Sequence, residues 1–103
     1  MTVTDRPDQL RYEIEVDGEV AGFLLYRIEP GVPELVHTDI APKWEGKGVG
    51  GALVQGALDD VRARGLKMRP FCPFVRAYLR RHPEYEDLVD QECLEYLDRP
   101  RGS

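Results

Sequence analysis

Residues 44–53 read WEGKGVGGAL, with glycine at 46, 48, 50 and 51 and Lys47 among them. Glycines leave backbone amides bare, and a helix that starts there adds the positive end of its dipole. Amides from Lys47 to Gly51 can therefore converge on one anion. Lys43 and Lys47 add point charges beside them. Two phosphate-binding schemes fail on spacing. The P-loop pattern needs a Lys-Ser/Thr pair after its last glycine, and here Lys47 precedes Gly48. Gly46, Gly48 and Gly51 satisfy G-x-G-x-x-G, but that dinucleotide fingerprint needs glycines directly behind a strand and an acid about 20 residues on. Four residues separate Ala41 from Gly46, and Leu66 to Arg69 contains no carboxylate.

The elements that must carry the loop follow from apolar periodicity. Leu10 to Val16 alternates strictly, the period of a strand with one buried face. Asp17-Gly18 suits a two-residue hairpin turn, so Glu19 to Ile28 is the antiparallel partner, with a bulge expected at Gly22. Pro30-Gly31 turns the chain into a third strand, Leu35 to Ala41, closed by Pro42. A helix runs from Gly48, with Val49, Leu53, Ala57 and Val61 at four-residue spacing, and stops at Gly65. Leu66 to Phe71 reads as a fourth strand, parallel to the third. Cys72-Pro73 opens a short helix ended by Pro83, and Pro83 to Asp98 is acidic and weakly amphipathic. The expected fold is a mixed α/β sheet in the order β-β-β-α-β-α. Residues 1–9 are expected to be disordered or extended, residues 10–90 form the domain, and 91–103 form an acidic helix or tail.

Composition narrows the function classes. A chain of 103 residues suffices for one domain. The net charge of −5 divides into −6 over residues 1–42, +6 over 43–82 and −5 over 83–103. An acidic protein with a basic middle suits a compact anionic ligand better than nucleic acid. The first ten residues, MTVTDRPDQL, lack the features of a signal peptide, and the run from Val20 to Tyr26 is far short of a membrane span. A cytoplasmic protein, monomeric or weakly dimeric, with no membrane or nucleic-acid partner is the expectation. Cys72 and Cys93 show no C-x-x-C spacing, and His37 and His82 are too scattered for a zinc site, so no metal is expected.

The segment IAPKWEGKGVGGALV resembles the acetyl-coenzyme-A motif of the GNAT superfamily of N-acetyltransferases, R/Q-x-x-G-x-G/A between a strand and a helix. Gly48 and Gly50 match its two small positions, whereas Glu45 stands where arginine or glutamine is usual. With GLKMRPFCPFV and YLRRHPEYEDLV, the likeness runs over roughly Leu10 to Val89 and looks like the small YjdJ-like branch, which lacks the N-terminal helices of larger relatives. The resemblance implies a minimal GNAT-like fold that uses acetyl-coenzyme A to acetylate an amine, either a small molecule or a protein amine. It implies that Glu45, Gly46, Lys47, Gly48, Val49, Gly50 and Gly51 clamp the pyrophosphate. It also implies that the pantetheine arm lies between the third and fourth strands, where backbone amides at Asp39 and Ile40 bind it and polarise the thioester carbonyl.

Three side chains are candidates for the chemistry. His37 shares a strand face with Asp39 and reads either as general base or as a structural histidine. Tyr78 lies on the helix where many family members place a general acid for the coenzyme sulfur; packing against Phe74 is the alternative. Cys72 sits at a helix N-terminus, where a thiol pKa falls, and is a candidate acetyl acceptor in a double displacement or a packing residue. Arg76 and Arg80, four apart on one helix face, suit the 3′-phosphate or a solvated surface. Trp44 reads as a stack for adenine or as a cap on its loop. A non-catalytic acyl-coenzyme-A-binding module and a ligand-free interaction domain remain as rival readings.

Overall fold

The computed structural model describes residues 1–29 and 32–90. Five strands form one sheet: β1 (Thr2–Arg6), β2 (Arg11–Val16), β3 (Glu19–Glu29), β4 (Val32–Ile40) and β5 (Arg69–Pro70). They lie in chain order; the first three pairings are antiparallel and β4 with β5 is parallel. Helix α1 (Val49–Ala63) makes the crossover from β4 to β5, and α2 (Pro73–Arg81) follows β5. Single 3₁₀ turns occupy Pro7–Gln9 and Pro42–Trp44, and a longer 3₁₀ stretch runs Pro83–Leu88.

Both helices pack on the same face of the sheet. Tyr12, Ile14, Leu24, Tyr26 and Leu35 alternate inward from the strands, and α1 answers with Val49, Leu53, Val54, Ala57, Leu58 and Val61. Val75 and Leu79 of α2, with Tyr85 and Leu88, close the end of that core. The β2–β3 hairpin turns at Asp17 and Gly18, both at positive φ (53° and 81°), as the Asp-Gly pair requires. No helix is long and apolar enough to cross a membrane among the described residues.

The structure differs from the expected element order in three places. Thr2–Arg6 is a strand paired along its length with β2, and Val3 fits a notch in α1, where a β-carbon on Gly56 would stand 2.6 Å from its side chain. The fourth expected strand shrinks from Leu66–Phe71 to Arg69–Pro70, because Leu66 and Lys67 stay exposed and Pro70 has no N–H to donate. Gly22 lies beside a register shift, between Ile14 and Glu15, which leaves Ala21 unopposed. Its lack of a side chain serves another contact: a β-carbon there would meet Ile40 Cδ1 at 2.5 Å and Asp39 O at 2.6 Å. The expected acidic helix or tail over 91–103, with Cys93, lies outside the described residues.

The face of the sheet away from the helices is charged. Glu13 is clamped by Arg6 and Arg11, and Glu34 by Arg27 and Arg69, so that the two carboxylates are only 7% and 8% exposed.

Candidate functional site

Strands β4 and β5 pair only at Glu34–Arg69 and Leu35–Pro70. Leu35 O then accepts from the amides of both Phe71 and Cys72, at 2.9 Å each, and the chain turns away into α2. Beyond Leu35, among the described residues, the β5-side edge of β4 has no partner strand. A register shift between Leu25 and Tyr26 leaves Val36 unopposed and bends β4 where the two strands part. The result is a V-shaped opening with one free strand edge, the geometry that accepts an extended ligand as an added strand.

The glycine loop stands at the wide end of that opening. Gly46 and Gly48 adopt φ of 75° and 78°, and Gly48 is the N-cap of α1. Ala52 N donates to Gly48 O at 3.1 Å, the first bond of the helix. No backbone carbonyl among the described residues accepts from the amides of Gly46 to Gly51, and the first turn carries no acidic side chain. A helix start without an intramolecular cap leaves its donors and its dipole for an anion. Nothing lies within 4 Å of a β-carbon placed on Gly46 or Gly48, so no neighbouring atom crowds the backbone there.

Splay and loop enclose a cleft of about 490 Å³ lined by Thr38, Asp39, Ile40, Trp44, Glu45, Gly46, Gly48, Val49, Gly50, Gly51 and Phe74. It unites most of the expected cofactor residues: Asp39, Ile40, Glu45, Gly46, Gly48, Val49, Gly50 and Gly51. Glu45 puts a carboxylate on the rim of the cleft. Lys43 and Lys47 stand beside the cleft, each with its ammonium over the Trp44 ring, at 5.2 and 5.9 Å. Lys43 also reaches Glu19 at 2.9 Å. With two cations already at its ring, Trp44 caps the loop, and its buried Nε1 has no partner among the described residues. A smaller, apolar cavity of about 190 Å³ lies at the opposite ends of β4 and α1, between Tyr12, Tyr26, Val32 and Leu66. Its polar groups are already bonded: Tyr26 to Asp5 at 2.5 Å, Tyr12 to Asp60 at 2.7 Å, and Arg64 to both carboxylates.

The three candidate catalytic side chains do not converge. His37 is exposed on the charged face of the sheet, beside the splay. Cys72 is buried on the other face, at the start of α2, with its Sγ 3.4 Å from Thr38 Oγ1. Tyr78 does not line the cleft but stands behind Gly51, where a β-carbon would meet its ring at 3.9 Å, and it is stacked on His82 with ring centroids 4.1 Å apart. Burial and then the carboxylate of Glu84 raise its pKa above the ordinary phenol value. The α2 aromatic that reaches the cleft is Phe74, whose ring would stand 2.6 Å from a β-carbon on Gly50. Gly50 thus serves helix packing, whereas Gly46 and Gly48 serve backbone conformation. Arg76 donates Nη1 to the carbonyls of Pro70 and Phe71, and Arg80 is exposed; neither lines the cleft. Sequence reasoning missed Thr38 and Phe74. Thr38 alternates inward beside Asp39, and Phe74 lies one turn before Tyr78, so both were within reach of strand and helix periodicity.

A family model described as GCN5-related N-acetyl-transferase matches residues 11–88. No curated protein matches the sequence. Among solved structures, the chain is similar to the solution structure of a GCN5-like protein from Staphylococcus aureus, named as a candidate N-acetyltransferase. The two share 20% identity over 86% of this chain and 87% of that one, with a TM-score of 0.65. It is also similar to a crystal structure of ribosomal-protein-alanine N-acetyltransferase from Brucella melitensis biovar Abortus 2308. There the identity is 23% over 78% of this chain and 60% of that one, with a TM-score of 0.53. At these identities the two structures show a common fold.

Proposed function

The chain belongs to the GCN5-related N-acetyltransferase family, and from that membership we propose that it binds acetyl-coenzyme A and transfers the acetyl group to an amine by direct attack. The observation that carries the reading is the run of unpartnered amides from Gly46 to Gly51, set at the mouth of the β4–β5 splay. A diphosphate on those amides leaves a pantetheine-like arm facing the free edge of β4.

When bound, the coenzyme supplies an activated acyl carbonyl and a sulfur leaving group. The loop amides and the dipole of α1 hold its diphosphate, with Lys43 and Lys47 adjacent. The free edge of β4 orients the arm through backbone groups at Asp39 and Ile40, which also polarise the carbonyl. His37, on the outer lip, accepts a proton from the attacking nitrogen. The net reaction makes one C–N bond, breaks one C–S bond and moves one proton from nitrogen to sulfur. Cys72 is nearly inaccessible and bonded to Thr38, which supports direct attack over an acyl-cysteine route. The placement of Tyr78 outside the cleft favours one rival, a module that binds acyl-coenzyme A without turnover. Calorimetry with acetyl-coenzyme A tests the first half of the proposal: no heat at millimolar ligand overturns it. Turnover with a panel of amines tests the second half and decides between enzyme and binding module.

A further inference from the structure

On the outer face of the sheet Glu13 and Glu34 are matched to arginines, whereas Glu15 and Asp39 have no ion pair among the described residues. Glu13 has Arg6 and Arg11 at 3.3 and 2.6 Å. Glu34 has Arg27 and Arg69 at 3.1 and 3.6 Å, and Asp90 has Arg69 at 2.9 Å. Asp39 is exposed and has no ion pair among the described residues. It lies about 7 Å along the strand from His37 on the same face, at the stretch of β4 whose edge is free. The cross-strand partners of Asp39 and His37 on β3 are Phe23 and Leu25, both half-buried on that face. Across the splay, Phe71 follows β5 and is 39% exposed. Alternation puts it on the outer side, since Cys72 points inward to Thr38. The Phe23 ring already carries the Arg11 guanidinium at 4.8 Å.

We propose that this lip selects the acceptor, and that the acceptor is a primary amine arriving as an ammonium ion on an apolar stem. The inference rests on the acyltransferase reading of the cleft. The uncompensated Asp39 carboxylate draws the ammonium to the mouth of the splay, and His37 beside it takes the proton that must leave before attack and releases it to solvent, while the second amine proton goes to the departing sulfur. Leu25, Phe23 and Phe71 cover the stem. A second positive charge on the stem would meet the guanidinium of Arg11, so polyamines are disfavoured. A hydroxylated short amine keeps the charge but loses the apolar contact.

Steady-state kinetics with acetyl-coenzyme A and the full chain test this with benzylamine, ethanolamine, spermidine and the uncharged aniline. The expected KM for benzylamine is at least tenfold below those for ethanolamine and spermidine. Asp39→Asn is expected to raise the benzylamine KM about tenfold, as loss of a charged hydrogen bond does, with the aniline KM within twofold of its original value. Phe71→Ser should erase the preference for benzylamine over ethanolamine. Preference for spermidine, or an unchanged benzylamine KM in Asp39→Asn, overturns the proposal. If the chain turns over no amine, titration of the ¹⁵N-labelled protein with benzylamine asks the same question. Shifts confined to Leu25, His37, Asp39 and Phe71 support the lip, and absent or scattered shifts overturn it. Calorimetry with the coenzyme reports separately on the cleft.

Discussion

Alanine at Gly48 separates the conformational role of the loop from its ligand role. Gly48 sits at φ 78°, ψ 6°, a left-handed conformation in which a side chain costs roughly 1–2 kcal/mol. A β-carbon there meets nothing within 4 Å, so no steric term is added. The stability loss should therefore stay near that strain, a fall in Tm of roughly 4–16 °C at about 4–8 °C per kcal/mol for a domain this size. The same methyl group would occupy open space on a residue that lines the cleft. A diphosphate held there must back away from several amides at once, and losing even one charged hydrogen bond, roughly 1.5–3 kcal/mol, lowers affinity about tenfold or more. Thermal melts give the first quantity, and calorimetry with coenzyme A at 10 °C, well below the shifted midpoint, gives the second. Gly50→Ala is the control. Its methyl would strike Phe74 at 2.6 Å, while its φ is ordinary, so it perturbs packing first. If Gly48→Ala binds coenzyme A as tightly as the parent while losing the expected stability, the amides of this loop do not hold the diphosphate.

Other outcomes follow from side chains near the cleft and in the core. Cys72→Ser keeps a hydroxyl partner for Thr38 and is expected to retain turnover within about threefold; loss of activity together with a thioester adduct on the parent protein by mass spectrometry would restore the acyl-cysteine route. Tyr78→Phe is expected to change kcat less than twofold, because its hydroxyl has no hydrogen-bond partner among the described residues and its ring lies outside the cleft; a large drop in kcat at an unchanged coenzyme KM would reinstate it as the acid. Burial, and then the bond to Asp59, push the Tyr85 phenol up to about 12. A raised folded-state value means stability that is complete below the unfolded value near 10 and is lost as pH climbs toward 12. Absorbance at 295 nm should show Tyr85, with the still more strongly shifted Tyr12 and Tyr26, ionising only as the chain unfolds.

Much of the frame was legible because it depends on local chemistry. Asp17-Gly18 can hardly be anything but a tight hairpin turn. The four-residue spacing from Val49 to Val61 belongs to a helix packed along one side, and Gly48 starts it. What sequence could not give depended on distant partners. Thr2–Arg6 carries a single apolar residue, Val3, and its value as a strand comes from Gly56, more than fifty residues away. β4 begins at Val32, with Pro33 inside it, rather than at Leu35, because its first residues pair with the far end of β3. The loop was readable as a glycine-rich helix start, but its glycines have different tasks, and only the position of Phe74 shows that Gly50 serves packing. His37, Cys72 and Tyr78 were chosen by type, and strand alternation and helix phase then placed them on different sides of the site.

The paired arginines of the outer face also bear on how copies of this protein meet. A sheet with helices on one side only presents its bare side to every other molecule, and an apolar bare side invites stacking. Here Glu13 and Glu34 each lie under two guanidinium groups, so stacking two such faces would bury eight cations and four anions with no water to replace. Acid alters the balance. The Glu13 carboxyl is held below its ordinary range, chiefly by the hydrogen bond from Arg11, and once it takes a proton the guanidiniums above it are left in excess. Acidification therefore adds positive charge to this surface, so copies of the chain would repel each other more strongly in acid than at neutral pH.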